Sequence, residues 1–265
     1  MGGRLIVKTD EQVELIRQSC LLVGRTLAEV KKHILPGVNT KHLDKVAEEF
    51  IRSHGGEPAF LNYAPSNHTP FPGTICASLN DVVVHGIPSE NTVLKDGDII
   101  SVDVGVKMNG WYGDSAYTFP VGDVAPEILR LLHVTKESLY KGVEQAYTGS
   151  RVGNISYAVS SHVMAHGYSV VREMVGHGLG QNLHEEPSIP NAGVKRGHGV
   201  KLLDGLVIAI EPMINMGTAK LKIDSDGWTA RAADGKPSAH FEHTVVVRRS
   251  KPEILTTFEF IESLP

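Results

Sequence analysis

The chain has 265 residues, of which 41% are hydrophobic and 21% are charged, and its formal net charge at pH 7 is -4. This is the composition of a globular protein with a sizeable core, so a disordered chain is excluded, and the lack of a basic stripe argues against nucleic-acid binding. The two cysteines are widely spaced, charged residues interrupt the first segment where a signal peptide would be apolar, and no apolar run approaches ~18 residues. These features predict a soluble cytoplasmic protein without a membrane segment.

The first predicted elements are a pair of amphipathic helices. Thr9 and Gln12 have the spacing of a capping box, and apolar residues then recur at three- and four-residue steps. A second helix begins at Asn39 or Thr40, either of which can serve as its N-cap, and a glycine pair after residue 54 ends it.

Helix pairs and strand pairs then alternate along the chain. The predicted ranges are 99–106 and 111–119 for two strands, 125–146 and 155–166 for two helices, and 206–213 and 241–247 for two more strands. The repeat indicates a single α/β (α+β) domain over residues 1–265. Its two pseudo-symmetric halves, roughly 10–120 and 125–250, are expected to form one mostly antiparallel sheet covered on one face by the two helix pairs.

Two Pro/Gly-rich segments, 57–73 and 185–199, are predicted to be long loops. Loops of this length are uncommon unless they have a function. Both lie close to the candidate site residues described next.

The strands 99–106 and 111–119 each carry one aspartate in an apolar context. If residues 107–110 form the turn, Asp103 lies directly opposite Asp114; if Asn109-Gly110 forms a two-residue type I′ turn, Asp103 is diagonal to Asp114. Either register puts both side chains on one face, where carboxylates ~5 Å apart repel each other unless a cation or a shared proton joins them. An arginine partner is the ordinary explanation for a single aspartate, whereas a divalent metal explains the pair.

Three further candidates have comparable settings: His177 in VGHGLG, Glu211 in LVIAIEPM and Glu242 in AHFEHTVVV, with each glutamate interrupting a predicted apolar strand. Taken singly, each is typical of an ion-paired or structural residue. With the two aspartates they supply four carboxylates and one imidazole, which suits two ions of Mn, Fe(II), Co or Zn better than a thiolate-bound structural zinc. Paired metal ions of this kind perform hydrolysis.

Longer segments carry a resemblance to a known family. The chain contains, in this order, SLNDVVVHGIP, DIISVDVGV, WYGDSAYTF, EMVGHGLGQNLHEEP, LVIAIEPM and DGWTARAADGKPSAHFEHTVVV. In these segments and their spacing, nearly from end to end, it resembles the type I methionine aminopeptidases, which have the pita-bread metallopeptidase fold. The resemblance implies a cytoplasmic enzyme that removes the initiator methionine from nascent polypeptides when the second residue is small.

The resemblance also implies roles for the metal-ligand candidates. Asp103 is expected to bind one ion, while Asp114 and Glu242 bridge both ions. His177 and Glu211 complete the other site, and Glu211 also acts as the general base that activates a bridging water.

Two histidines receive a role only through the resemblance. His85 and His184 are implied to contact the substrate amide and to stabilise the tetrahedral intermediate, and spacing alone would not single them out. Apart from His68 and His240, the eight remaining histidines, including His243, are expected to be surface or helix residues.

A methionine-selective enzyme also needs an apolar pocket for a thioether. The positions aligned with this pocket are His68, Phe71, Cys76, Leu183 and Trp228. His68 occupies a place usually taken by Tyr, Leu183 replaces a bulky aromatic residue, and Pro65 replaces Cys. The shape of the pocket is therefore expected to differ from that of the commonest relatives.

Further expectations concern a second kind of ion and the partners. Asn80, Val82 and Ser238 match positions that hold a monovalent cation in some relatives, although their interpretation as plain turn residues is nearly as good. The protein is expected to be a monomer that binds the N-terminal methionine of nascent chains and associates transiently with the ribosome.

Two other functions are alternatives to methionine removal. An Xaa-Pro peptidase of the same fold would share the metal ligands, but the segments VVVHGIP and DGWTARAADG favour the methionine-specific branch. A catalytically inactive domain used as a binding module would have lost ligands, whereas competent side chains stand at all five ligand positions here.

Overall fold

The computed structural model describes residues 4–65 and 69–264. In this part of the chain the helices are α1 (Asp10–Lys31), α2 (Thr40–Ser53), α3 (Pro126–Val143), α4 (Val152–Ala165) and the short α5 (Glu259–Glu262). Both predicted helix pairs are confirmed, with bounds that differ by a few residues. None of the helices in the described ranges is long and apolar enough to cross a membrane.

The N-terminal ends of the first two helices are set by side-chain caps. Thr9 Oγ1 accepts a hydrogen bond from Gln12 N at 3.3 Å, and Gln12 Oε1 accepts one from Thr9 N at 3.0 Å, which completes the predicted capping box. Of the two candidate caps for α2, Asn39 is the N-cap, because its Oδ1 accepts a hydrogen bond from His42 N at 2.9 Å. Thr40 is therefore the first helical residue.

Most strands in the described residues are short. They are β1 (Glu57–Pro58), β2 (Ile75–Leu79), β3 (Val82–Val84), β4 (Ile99–Met108), β5 (Trp111–Pro120), β6 (Ser169–Val170), β7 (Gly176–Gly178), β8 (Glu185–Ile189), β9 (Val207–Ile210), β10 (Met213–Asn215), β11 (Leu221–Ile223), β12 (Ala230–Ala232), β13 (Ser238–His240), β14 (His243–Val246) and β15 (Glu253–Ile254). The pairings between these strands are antiparallel, as predicted.

Backbone hydrogen bonds divide the described strands into four sheets. One has the order β1-β4-β2 with β5 also paired to β4, and the others have the orders β13-β10-β6, β11-β12-β3 and β15-β14-β9-β7-β8. Helix α1 packs on the β4–β5 hairpin, and α3 packs on β9, β10 and β13. The main core lies between these helices and strands.

The two predicted halves of the chain meet at a seam where β5 lies beside β14 and the end of β13. Side-chain hydroxyls donate hydrogen bonds to backbone carbonyls across this seam. The bonds join Ser115 to Glu242 at 2.6 Å, Thr118 to His240 at 2.7 Å and Thr244 to Asp114 at 2.7 Å. The seam therefore brings two predicted metal ligands, one from each half, next to each other.

Two predicted strands and one predicted loop need correction. Glu211 lies between β9 and β10, and Glu242 lies between β13 and β14, so the expectation that both interrupt a strand internally is wrong. At Glu211 the cause is Pro212, which lacks an N–H and restricts the residue before it. The segment predicted as a loop from residue 185 begins instead with β8.

Candidate metal centre

The β4–β5 hairpin sets the relative position of the two aspartates. Its turn is Asn109-Gly110, and both residues have positive φ, 53° and 81°, as a type I′ turn requires. In this register Asp103 pairs with Ala116 and is therefore diagonal to Asp114. The two-residue turn is confirmed, and direct opposition of the aspartates is excluded.

The structure brings all five predicted ligands to one cavity. His177 Nε2 lies 3.6 Å from Glu211 Oε1 and 3.8 Å from Asp114 Oδ2. Asp114, His177 and Glu242 each offer a donor atom, and these atoms lie within 4.8 Å of one another. Asp103 lines the same cavity. The group is thus compact enough to share bound cations.

The carboxylates of this group are buried without matching positive charge. Asp103 Oδ1, Asp114 Oδ1 and Glu242 Oε1 have no hydrogen-bond partner among the described residues. Burial raises the pKa of Asp103 to about 7. Burial and then repulsion between the carboxylates raise the pKa of Asp114, Glu211 and Glu242 well above their ordinary values. Buried acceptors of this kind are costly unless cations bind them, so the donor set fits divalent metal.

The His177 imidazole is prepared to act as a ligand. Its Nδ1 is 2.9 Å from the carbonyl oxygen of Gly178, which can only accept, so Nδ1 carries the proton and Nε2 faces the carboxylates with its lone pair. Burial, with a smaller effect from the neighbouring His184, lowers the pKa of His177 to about 3. The ring is therefore neutral at physiological pH, as metal binding requires.

His184 is held by a tyrosine that lines the same cavity. Tyr63 Oη lies 2.6 Å from His184 Nδ1. Burial raises the pKa of Tyr63 and lowers the pKa of His184, so both groups are neutral. When the Tyr63 hydroxyl is the hydrogen-bond donor, His184 Nε2 carries the hydrogen and can donate in turn. The ring centroids of His184 and His177 are 4.3 Å apart.

His85 reaches the cavity from the segment after β3. Its backbone has a φ of 58°, a conformation uncommon outside glycine and typical of positions under functional constraint. Its ring meets the Trp228 ring edge-on, with centroids 5.9 Å apart. Both histidines implied by the resemblance thus line the same cavity as the five ligands.

The cavity has a volume of about 340 Å³, within the range of ligand sites. Four of the pocket residues that the resemblance implies line it, and they are Phe71, Cys76, Leu183 and Trp228. Pro65 lines it too. The rings of Phe71 and Trp228 lie edge to face at 5.3 Å, and Cys76 pairs with Asp103 across β2 and β4. His68, also predicted here, lies outside the described residues.

Several lining residues escaped the sequence analysis. They are Phe60, Tyr63, Val84, Met174, Val175 and Met213. The sequence carries no signal for Tyr63, because a tyrosine in a loop has no periodic context. Val84 and Met213 could have been predicted as lining residues, because each is an apolar residue at a strand end close to a candidate site residue.

Two histidines lie deeper in the structure than their sequence context indicates. His240 is buried, and its Nε2 has no hydrogen-bond partner among the described residues and lies 3.8 Å from Glu211 Oε2. His243 is a buried strand residue whose Nδ1 lies 2.7 Å from Thr256 Oγ1, so its prediction as a surface or helix residue is wrong. All four residues of β14 are buried, so His243 lies in a strand that is covered on both faces.

The three residues considered for a monovalent cation lie near one another. Ser238 N donates a hydrogen bond to Asn80 O at 2.9 Å, and Val82 begins the strand two residues later. Ser238 Oγ donates to Ile214 O at 3.3 Å. The alternative of plain turn residues stays open, so the cation site stays a prediction.

Comparison with known proteins identifies the class of enzyme that this fold and site define. The chain belongs to metallopeptidase family M24, whose sequence profile matches residues 14–249. A prolidase from Pyrococcus furiosus shares the fold, with a TM-score of 0.76 and 21% identity over 95% of this chain and 65% of that one.

Within that family, the chain is similar over nearly its whole length to methionine aminopeptidases. Methionine aminopeptidase 1 of Bacillus subtilis is 48% identical over 252 residues, which are 95% of this chain and 99% of the relative. The enzyme of Clostridium acetobutylicum is 46% identical over 255 residues, or 96% and 100% of the two chains. The crystal structure of the Rickettsia prowazekii enzyme has a TM-score of 0.92 at 40% identity and covers 96% of this chain and 100% of that one.

Proposed function

We propose that the protein is a two-metal aminopeptidase that releases methionine from the N terminus of polypeptides. The observation that carries the proposal is the set of five metal-ligating side chains that line one mostly apolar cavity, with Asp114 and Glu242 buried and the other three partly buried. The chain belongs to the M24 metallopeptidases and is similar to methionine aminopeptidases over nearly its whole length, which supports the same function.

The residues divide between two ions in the proposed site. Asp103 would hold one ion, Asp114 and Glu242 would be shared by both, and His177 with Glu211 would complete the set around the other. The bridging role is supported by the seam, because hydrogen bonds across it hold Asp114 and Glu242 side by side. Mn, Fe(II), Co and Zn all suit this mixture of oxygen and nitrogen donors.

When bound, divalent ions in such a pair lower the pKa of water and polarise the scissile carbonyl. Glu211 accepts the proton of the attacking water at a carboxylate oxygen. The proton then passes from Glu211 to the leaving amine. His177 stays neutral, because burial lowers the pKa of its imidazole to about 3.

His184 and His85 orient the scissile amide in the proposed complex. His184 presents Nε2–H because Tyr63 donates to its other nitrogen, so it can donate a hydrogen bond to the oxygen on which charge develops. His85 lines the same cavity beside Trp228 and contacts the substrate amide from there.

The apolar walls support methionine as the released residue. Phe71 and Trp228 offer aromatic edges, and Cys76 offers a thiol whose pKa burial raises well above its ordinary value, so it is uncharged. A thioether packs favourably against both kinds of group. We propose in addition that only a small second residue is accepted, and that His68 and Leu183 adjust the shape of the pocket.

The setting of the enzyme is part of the proposal. Cytoplasmic action on nascent chains, transient association with the ribosome and a monomeric state are consistent with a substrate made at the ribosome. Cys20 and Cys76 are both buried free thiols, which fits a reducing compartment.

The test is release of free methionine by metal-stripped enzyme to which Mn, Fe(II), Co or Zn is restored separately. The substrates are Met-Gly-Met-Met, a Met-Pro peptide and other Xaa-Pro peptides. Metal-dependent release from the first peptide supports the proposal and ranks the metals. Cleavage confined to Xaa-Pro peptides, or none with any metal, overturns it.

A further inference from the structure

A second group of metal-ligating side chains lies on α3 and α4. Glu137 on α3, His162 on α4 and His166 at the C-terminal end of α4 each offer one donor atom, and these atoms lie within 4.8 Å of one another. None of the three lines the catalytic cavity. The sequence predicts both histidines to be ordinary surface or helix residues.

Both oxygens of the Glu137 carboxylate face an imidazole. Oε2 lies 3.1 Å from His162 Nε2, and Oε1 lies 3.2 Å from His133 Nε2, one turn earlier on α3. Donor atoms around a tetrahedral zinc ion are about 3.3 Å apart, given zinc–nitrogen and zinc–oxygen distances near 2 Å. The pair that spans the two helices therefore already has the spacing that zinc needs.

The second imidazole on α4 has its free nitrogen available. His166 Nδ1 lies 2.8 Å from the carbonyl oxygen of His162, and a carbonyl only accepts, so Nδ1 carries the proton and Nε2 carries the lone pair. Histidine ligands of metals are usually fixed by such a hydrogen bond from the other ring nitrogen. The rings of His162 and His166 lie 4.5 Å apart, as expected for residues i and i+4 on one helix face.

We propose that Glu137, His162 and His166 form a Zn²⁺ site that joins α3 to α4, separate from the catalytic centre. One carboxylate and two imidazoles supply three of the four ligands of a tetrahedral zinc ion, and partial exposure of all three residues leaves the fourth position to water. His133 orients the Glu137 carboxylate from the other side. The competing explanation is a hydrogen-bonded cluster that binds only protons.

The test measures zinc content directly, because the catalytic centre also binds metal. Full-length wild type and a His162→Gln/His166→Gln variant are stripped of metal, equilibrated with excess Zn²⁺ at about pH 7.5, where imidazole ligands are deprotonated, and assayed for zinc per chain by mass spectrometry. We expect the variant to hold one zinc fewer than wild type and to release methionine at the same rate. Equal zinc content overturns the proposal.

A matched control and a second variant exclude trivial results. His33→Gln/His42→Gln removes another close pair of exposed histidines, 3.2 Å apart, that belongs to no three-ligand group among the described residues, and it should keep the zinc content of wild type. Glu137→Gln keeps both histidines and should weaken zinc binding at this site about tenfold or more. Unchanged affinity in that variant also overturns the proposal, whether or not the double histidine variant folds.

Discussion

Removing one ligand should make the metal-free protein more stable. In Asp103→Asn the amide keeps nearly the shape of the carboxylate but cannot ionise. Because burial disfavours the ionised form of Asp103, the metal-free wild type holds unfavourable negative charge that the variant lacks. With metal present the order should reverse, since the variant has lost a ligand.

The size of the effect follows from the pKa of Asp103. Burial raises this pKa from an ordinary value of 3.8 to about 7, and each tenfold change in acidity is worth about 1.4 kcal/mol, so ionised Asp103 costs the folded state about 4 kcal/mol. The folded pKa is above the unfolded one, so the folded protein binds more protons between them. Stability therefore falls as the pH rises from about 4 to about 7, and the full cost applies above that range.

The measurement is urea unfolding in the presence of a chelator at about pH 5 and about pH 8. At the higher pH the variant should be more stable than wild type by about 2–4 kcal/mol, and at the lower pH the gap should shrink to less than half of that, about 1–2 kcal/mol. Asp123→Asn, at an exposed position, is the matched control and should change neither value. A variant that is less stable than wild type without metal at the higher pH would refute the view that unpaired carboxylates strain this site.

Three further predictions test the surroundings of the centre. Lys8→Met leaves the Glu185 carboxylate without its partner, since the two side chains are 2.6 Å apart and only 1% and 4% exposed. The variant should lose about 3–5 kcal/mol of unfolding free energy, measured by urea unfolding. Lys32→Met breaks the more exposed pair with Glu29 and should lower the unfolding free energy by about 1 kcal/mol or less. Equal losses in the two lysine variants would contradict the prediction. Tyr63→Phe removes the hydroxyl that bonds to His184 Nδ1 and is proposed to set the tautomer of that ring. The kcat should therefore fall about tenfold or more, while the metal content, measured in parallel, stays unchanged. Glu242→Gln should lose metal and activity together, whereas His85→Ala should lose turnover and keep its metal; metal loss in the histidine variant would place that residue among the ligands instead.

Elements with local causes could be predicted from the sequence. Helix α1 follows from a capping box between Thr9 and Gln12 and from apolar periodicity, and both act over a few residues. The division into four sheets could not be predicted, because it depends on distant pairings. The hydroxyl groups of Ser115, Thr118 and Thr244 bond to carbonyls more than 120 residues away, and nothing in their local sequence indicates those partners.

The candidate site shows the same division between local and distant causes. Carboxylates in apolar segments drew attention to Asp103 and Asp114, and the structure places them together. The register between them stayed open because two turn lengths fit the same residues, until positive φ at Asn109 and Gly110 decided it. Tyr63 was missed because its contact with the cavity histidine joins residues 121 positions apart.

The seam between the halves explains how the chain holds repelling carboxylates in place before any metal binds. Thr244 Oγ1 donates to Asp114 O, and Ser115 Oγ donates to Glu242 O, so hydrogen bonds from neighbouring hydroxyls fix the backbone of both ligands. Each bond contributes about 1 kcal/mol, and leaving a buried carbonyl unpaired would cost more. These bonds keep the backbone from moving the two carboxylates apart. The repulsion between them can therefore be relieved only by binding protons or cations. A site held in this way is ready for metal at neutral pH, where protons are scarce.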